Sequence, residues 1–404
     1  MKRIQTLAMA GCGLLATGIL TGAEVKSVSG GVGYEALGTY DADRLNSILT
    51  KELEAFSSFP ISYPPPRNEV RLFRIYYSTV IPEDNNRPVP ASGLLAIPVN
   101  PPARPPLLSY QHGTVFSKDE VPSIPDKSME TRLMLACFAA HGYVVIAADY
   151  IGKGISTEPD SYLVKESTAQ ACLDMLIASR AVLADMNIQT GDLFLSGWSQ
   201  GSFSTTVFQN RLEAIGEPVK AAGVASAPND LYLCFNRWIH VRSEFDVQWL
   251  LGAAALLVHS YEKYYNLPGL ADTAIRPAYR KTARDLYENK ITWEEAAKSL
   301  PETTKELLTE EFVQSGTLVA DRFSRALQNN QAYNWRFKTP TRFYYGQIDE
   351  VVTPYMVTLP VEYQKTIAGA PAEGIFAGEK ANHRGTFLFS LKDLKAWFDR
   401  LSCQ

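Results

Sequence analysis

Between residues 106 and 228 the chain alternates short apolar runs with longer segments of helical spacing. "PLLSYQHG" and "YVVIAADY" bracket "METRLMLACFAAHG". "DLFLSG" and "VKAAGVASAP" bracket "SFSTTVFQNRLEAIG", and the long amphipathic "ESTAQACLDMLIASRAVLADMN" joins the two halves. Solidly apolar, β-branched strands are buried on both faces, and parallel neighbours need a crossover of a dozen or more residues between them. The pattern predicts an α/β fold built on a mostly parallel central sheet flanked by helices.

The same rhythm resumes near the end, with strands "TRFYYGQID" and "EGIFAG" and helices "MVTLPVEYQKTIAG" and "TFLFSLKDLKAWFDRL". Residues 229–335 interrupt it with helical periodicity and no clear strand, which reads as a helical cap inserted into the sheet domain. "EVRLFRIYYSTV" and "ASGLLAIPV", joined by the polar "IPEDNNRPVP", form a hairpin-like start. Residues 24–66 read as an N-terminal extension, so the core runs over 67–228 and again over 336–404. The loose glycine pattern of "GGVGYEALG" follows no strand and carries no dinucleotide site.

The N-terminus pairs Lys2 and Arg3 with an apolar stretch that ends in Thr21-Gly22-Ala23, the layout of a signal peptide over residues 1–23. Export to a secreted or periplasmic location is expected, with a lipoprotein form through Cys12 as the lesser reading. In an oxidising compartment the other cysteines, Cys137, Cys172, Cys234 and Cys403, have two readings: one or two disulfides, or buried thiols. With a net charge of −4 and Lys and Arg scattered, nothing points to a nucleic-acid partner.

The chemistry centres on "GWSQG", residues 197–201. The string alone is weak. Its place between an apolar strand and an amphipathic helix is what a nucleophile elbow requires, with Ser199 held on a strained turn and glycines where strand and helix crowd it. A serine hydroxyl needs a base, and the chain has five histidines. His112 ends a strand and reads as a loop-fixing residue, His141 closes a helix, and His240 and His259 lie in the cap. His383, in a loop after the last strand, is the candidate base. Asp349 and Glu350 end the strand "TRFYYGQID"; adjacent side chains point apart, so one faces the imidazole, and Asp349 is the candidate. An oxyanion needs two donors. The backbone N–H of Gln200 is one candidate and that of Thr114, in "QHGTVF", the other.

The strings "SYQHGT", "HGYVVIAADYIGKG", "GWSQG", "YYGQIDEVVTP" and "ANHRG" occur in the order found in the α/β-hydrolase superfamily, and the chain resembles it from about Glu69 onward. "GYVVIAADYIGKG" and the helical insert are similar to the secretory lipase branch with its fungal lipase A-like members. The resemblance implies ester hydrolysis through an acyl-enzyme, as an esterase or lipase, without a metal or organic cofactor. Small-molecule or lipid esters are the expected partners, with contact to a lipid surface through the cap.

Tyr150, Trp198 and Tyr345, beside strand ends, and Trp249 in the cap are candidate substrate-binding residues. The apolar "WLLGAAALLVHSYEKYY" reads either as an acyl pocket, with Leu250 and Leu251 near the chain, or as plain core packing. Two rival functions remain: an exported peptidase of the same fold, which should present acids near its pocket, and an idle hydrolase frame that only binds.

Overall fold

Why residues 70–98 form a hairpin is visible in their pairing. Strands β3 (Val70–Ile81) and β4 (Arg87–Pro98) run antiparallel in unbroken register from Val70 opposite Pro98 to Ile81 opposite Arg87. Strand β4 begins earlier than its apolar residues suggest and includes Pro88 and Pro90. Its other neighbour, β6 (Val144–Ala148), pairs only with residues 93–96, so the prolines sit where no ladder partner needs their missing N–H.

The computed structural model describes residues 24–314 and 318–402. Among the described residues ten strands, beginning with β1 (Lys26–Val28) and β2 (Val32–Tyr40), form one sheet in the order β1-β2-β3-β4-β6-β5-β7-β8-β9-β10. From β6 onward all neighbours are parallel: β5 (Leu107–Gln111), β7 (Leu193–Trp198), β8 (Ala221–Ala225), β9 (Thr341–Tyr345) and β10 (Ala372–Phe376). Helices α1 (Met129–Cys137), α2 (Lys165–Asp185) and α3 (Gln200–Ile215) make the crossovers.

The extension is not a separate lead-in. Strands β1 (Lys26–Val28) and β2 (Val32–Tyr40) add an antiparallel edge to the sheet, with β2 paired along β3. Gly33 lies inside the ladder, and Gly38, at φ +114°, closes a bulge between Ala36 and Gly38.

Among its described residues the insertion between β8 and β9 holds helices joined by loops, with no strand beyond one isolated bridge between Ile275 and Leu308. Its longest members are α4 (Leu231–His240), α5 (Leu250–Tyr264) and α6 (Leu318–Asn329). The Asp230 side chain caps α4 by accepting from Leu233 N–H at 2.9 Å. The cap's apolar residues form one cluster with Phe203, Val207, Val224 and Phe343 of the sheet domain. Helices α7 (Pro354–Thr366) and α8 (His383–Ser402) complete the fold.

Cys137, Cys172 and Cys234 are buried free thiols. Burial pushes each thiol above its usual range, which makes all three unreactive as nucleophiles. Cys403, Cys12 and the expected signal peptide lie outside the described residues.

Candidate active site

Parallel register brings the carboxyl ends of four strands to one edge. Gln111 of β5 lies opposite Gly197 of β7, Trp198 opposite Ala225 of β8, and Ala225 opposite Tyr344 of β9. Loops leaving these ends converge there: the loop after β5 carries Thr114, that after β7 Ser199 and Gln200, and that after β9 Asp349, while His383 follows β10.

Ser199 stands between β7 and α3 at φ +58°, ψ −123°, a strained conformation for any residue with a Cβ. The flanking glycines allow it. A Cβ on Gly197 would collide with the Gly201 carbonyl, and one on Gly201 with the Gln111 carbonyl. Strand, turn and helix are thus in backbone contact, which holds Ser199 at the sheet edge. Its backbone N–H is tied to Ala225 O at 3.0 Å.

His383 opens α8. Its Nδ1 lies 3.0 and 3.1 Å from the two carboxylate oxygens of Asp349. Asp349 also accepts from Val351 N–H at 2.9 Å, Val352 N–H at 3.0 Å and the Ser226 hydroxyl at 2.5 Å. The adjacent Glu350 points elsewhere and accepts the backbone N–H of His383 at 2.9 Å. Both predicted partners therefore touch the histidine, one at the ring and one at the main chain. The other ring nitrogen, Nε2, is buried and makes no hydrogen bond among the described residues. Ser199 and His383 line the same cavity, of about 690 Å³. Burial pulls His383 down, but the charge and hydrogen bond of Asp349 outweigh it and hold the ring above its usual range. For Asp349, burial pushes upward and loses to His383 and the Ser226 hydroxyl, so the carboxyl lies below its usual range.

The loop after β5 is held on several sides. Glu130 of α1 accepts the Gly113 N–H at 2.9 and 3.0 Å on its two oxygens, and also the Tyr110 hydroxyl. The Tyr150 hydroxyl donates to His112 O at 3.1 Å. Lys153, paired with Asp160 at 3.1 Å, donates from Nζ to Val115 O at 3.2 Å. The His112 ring lies with Nδ1 2.8 Å from Gly113 O and stacks on Tyr150 at 4.2 Å. Burial lowers its pKa to about 4, so the ring is neutral at pH 7 and braces the loop, as the sequence suggests. Among the described residues the N–H groups of Thr114 and Gln200 have no hydrogen-bond partner. The Gln200 amide also opens the positive end of α3.

Trp198 and Trp249 line the cavity. The Trp198 indole donates to His383 O at 3.1 Å and stacks on Phe387 at 4.7 Å. Tyr150 and Tyr345 do not line it. Tyr150 is 3% exposed and committed to His112 behind the loop, while Tyr345 packs on Phe376 at 5.5 Å. Proximity to a strand end therefore misassigned both. Leu250 and Leu251 do not line it either: both are buried in the cap's apolar cluster, the plain-packing alternative, and border a different depression with Trp238, Arg242 and Glu302.

Glu130, Ser226 and Tyr162, whose hydroxyl lies 2.9 Å from Thr114 Oγ1, were not foreseen. Glu130 reads as an ordinary first-turn acid of an amphipathic helix. Only the approach of Tyr110 and Gly113 buries it, and that burial pushes its pKa up to about 7.

No family model matches the chain, and no curated protein matches it in sequence. Solved structures do. A Legionella pneumophila protein, assigned as a hydrolase by inference, shares 21% identity over 92% of this chain and 98% of its own, with a TM-score of 0.79. The rice cell wall degrading esterase LipA from Xanthomonas oryzae, in a ligand-bound form, shares 20% identity over 91% of this chain and 96% of its own at TM-score 0.77. Candida antarctica lipase A in its closed state shares 18% over 82% and 79% at TM-score 0.63. With its mostly parallel ten-stranded sheet flanked by helices, the chain has the α/β-hydrolase fold and resembles lipase A.

Proposed function

We propose that the protein is a serine hydrolase of carboxylic esters. The observation that carries this reading is His383, anchored through Nδ1 on Asp349 with a buried, unbonded Nε2, in one cavity with a Ser199 held at φ +58°. In the proposed cycle Ser199 Oγ attacks the ester carbonyl and His383 Nε2 takes its proton. Asp349 keeps the tautomer and stabilises the imidazolium. The Gln200 and Thr114 amides receive the oxyanion. His383 then protonates the departing alkoxide. A water that gives a proton to the same nitrogen attacks the acyl carbon, the bond to Ser199 Oγ breaks as His383 returns that proton to Oγ, and the acid leaves.

The structural neighbours named as an esterase and a lipase support this reading through their fold. Hydrolysis of p-nitrophenyl esters, together with fluorophosphonate labelling that Ser199→Ala abolishes, tests it. A folded wild type that neither labels nor hydrolyses refutes it.

A second reading is cleavage of peptides with a free amine. The cavity wall favours it in one respect, since Glu120, Glu294, Glu295 and Glu350 line it. Lys127, Lys290 and Arg384 line the same wall and offset those charges, so an ester remains the better fit. Faster turnover of aminoacyl p-nitroanilides than of acyl esters would reverse the order. Export is inferred from residues 1–23 alone, and N-terminal sequencing of the mature protein tests it.

A further inference from the structure

Two spaces open at Ser199, and they differ in size and chemistry. The wide one is the cavity of about 690 Å³, with His383 in its wall beside Trp249, Trp293, Lys127 and Arg384. The narrow one is an apolar slot of about 10 Å³ that reaches Ser199 and Gln200 but not His383. Its walls come from two helix faces. Leu231, Cys234, Phe235 and Trp238 recur at the spacing of one face of α4. Ala253 and Leu257 do the same on α5, in line with Trp249. Thr114 borders both spaces.

Resting on the ester reading above, we propose that the narrow slot is the acyl site and the wide cavity the alcohol site, so that the substrate is a short-acyl ester of a bulky, polar alcohol. The assignment follows from where the proton must go. His383 Nε2 has to reach the leaving oxygen, so the alcohol departs on the side that contains His383, which is the wide cavity. The carbonyl oxygen faces the Gln200 and Thr114 amides, and the acyl tail is left with the slot. A volume of that size holds about one water-sized group, which fits the methyl of an acetyl group and leaves no room for a long chain. The wide cavity mixes aromatic faces with charged side chains, a lining suited to a polar ring-bearing alcohol and not to a long hydrocarbon.

The experiment compares kcat/KM for p-nitrophenyl acetate, butyrate, octanoate and palmitate on the full chain, then for acetyl esters of alcohols of increasing size. If the slot accepted a long chain, each added methylene would raise kcat/KM about fourfold. A closed slot predicts the opposite: a fall of about tenfold or more from butyrate to octanoate, with no comparable loss as the alcohol grows. Phe235→Ala, which widens the slot, should recover octanoate by about tenfold. The wild-type series decides the matter without that variant should it fail to fold. An optimum at octanoate or beyond, with Ser199 labelled by fluorophosphonate, overturns the partition alone. No hydrolysis of any ester, and no label, overturns the ester reading and the partition with it.

Discussion

Truncating Glu130 is the sharpest probe of how the loop after β5 is held. The Glu130→Ala variant removes the acceptor of the Gly113 N–H, bonded at 2.9 and 3.0 Å, and of the Tyr110 hydroxyl. Both groups are buried, with Tyr110 1% exposed. Leaving a buried donor unpaired costs about 1–3 kcal/mol, so two cost about 2–6 kcal/mol before the loop relaxes. Relaxation is where function enters, because Gly113 precedes the Thr114 amide proposed to receive the oxyanion. Complete loss of one such donor lowers kcat by about a hundredfold to a thousandfold. Lys153, Tyr150 and His112 still hold the loop, so the displacement is partial and kcat should fall by about tenfold to a hundredfold, with KM within threefold.

Glu130→Gln keeps a carbonyl for Gly113 and an amide for Tyr110. It should stay within about fivefold of wild type, a rescue that a loss of general stability does not explain. Steady-state kinetics on p-nitrophenyl butyrate, with urea unfolding of each variant, separates the effects. A folded Glu130→Ala enzyme with kcat within twofold of wild type would show that this carboxylate does not position the oxyanion loop.

Three other outcomes follow from the same geometry. Activity requires neutral His383, whose pKa is held above 6.5 by Asp349 against the pull of burial. The acid limb of kcat/KM should therefore lie above pH 6.5, and Asp349→Asn should move it lower while cutting kcat by about four orders of magnitude; an unmoved limb contradicts the pairing. Gly201→Ala drives a methyl into the Gln111 carbonyl and His112 backbone, so thermal unfolding should show a loss of about 1–3 kcal/mol. Burial raises Glu130 from 4.5 to about 7, so the folded state binds the extra proton, and stability present below pH 4.5 is lost as pH rises toward 7. Wild type should lose about 3 kcal/mol more than Glu130→Gln across that window, and parallel urea midpoints for the two proteins would refute the assignment.

Much of the active edge was legible without coordinates, because strand-turn-helix order is a local property. "GWSQG" sits behind an apolar strand, and the fold places Ser199 on that turn in the strained conformation such a turn imposes. The pairing of Asp349 with His383 could be anticipated because both follow parallel strands, whose carboxyl ends must meet at one edge. Adjacency of Asp349 and Glu350 likewise dictates that only one faces the ring. What stayed hidden depends on which distant segments come into contact. Tyr345 ends a strand as Trp198 does and Tyr150 lies just past one, yet Tyr150 sits behind the loop and Tyr345 against Phe376.

Sequence alone determined the alternation of strands and helices from residue 106 to 228, the strained serine turn and the three side chains brought to one edge. Each follows from local periodicity, glycine placement or the rule that parallel strands end together. Tertiary structure alone decided that residues 26–40 complete the sheet, that Glu130 is buried under Gly113, and that α4 and α5 leave a slot of about 10 Å³ beside Ser199. These depend on packing between segments far apart in the chain, where a rotation of one helix by a single residue changes which side chains face the cavity.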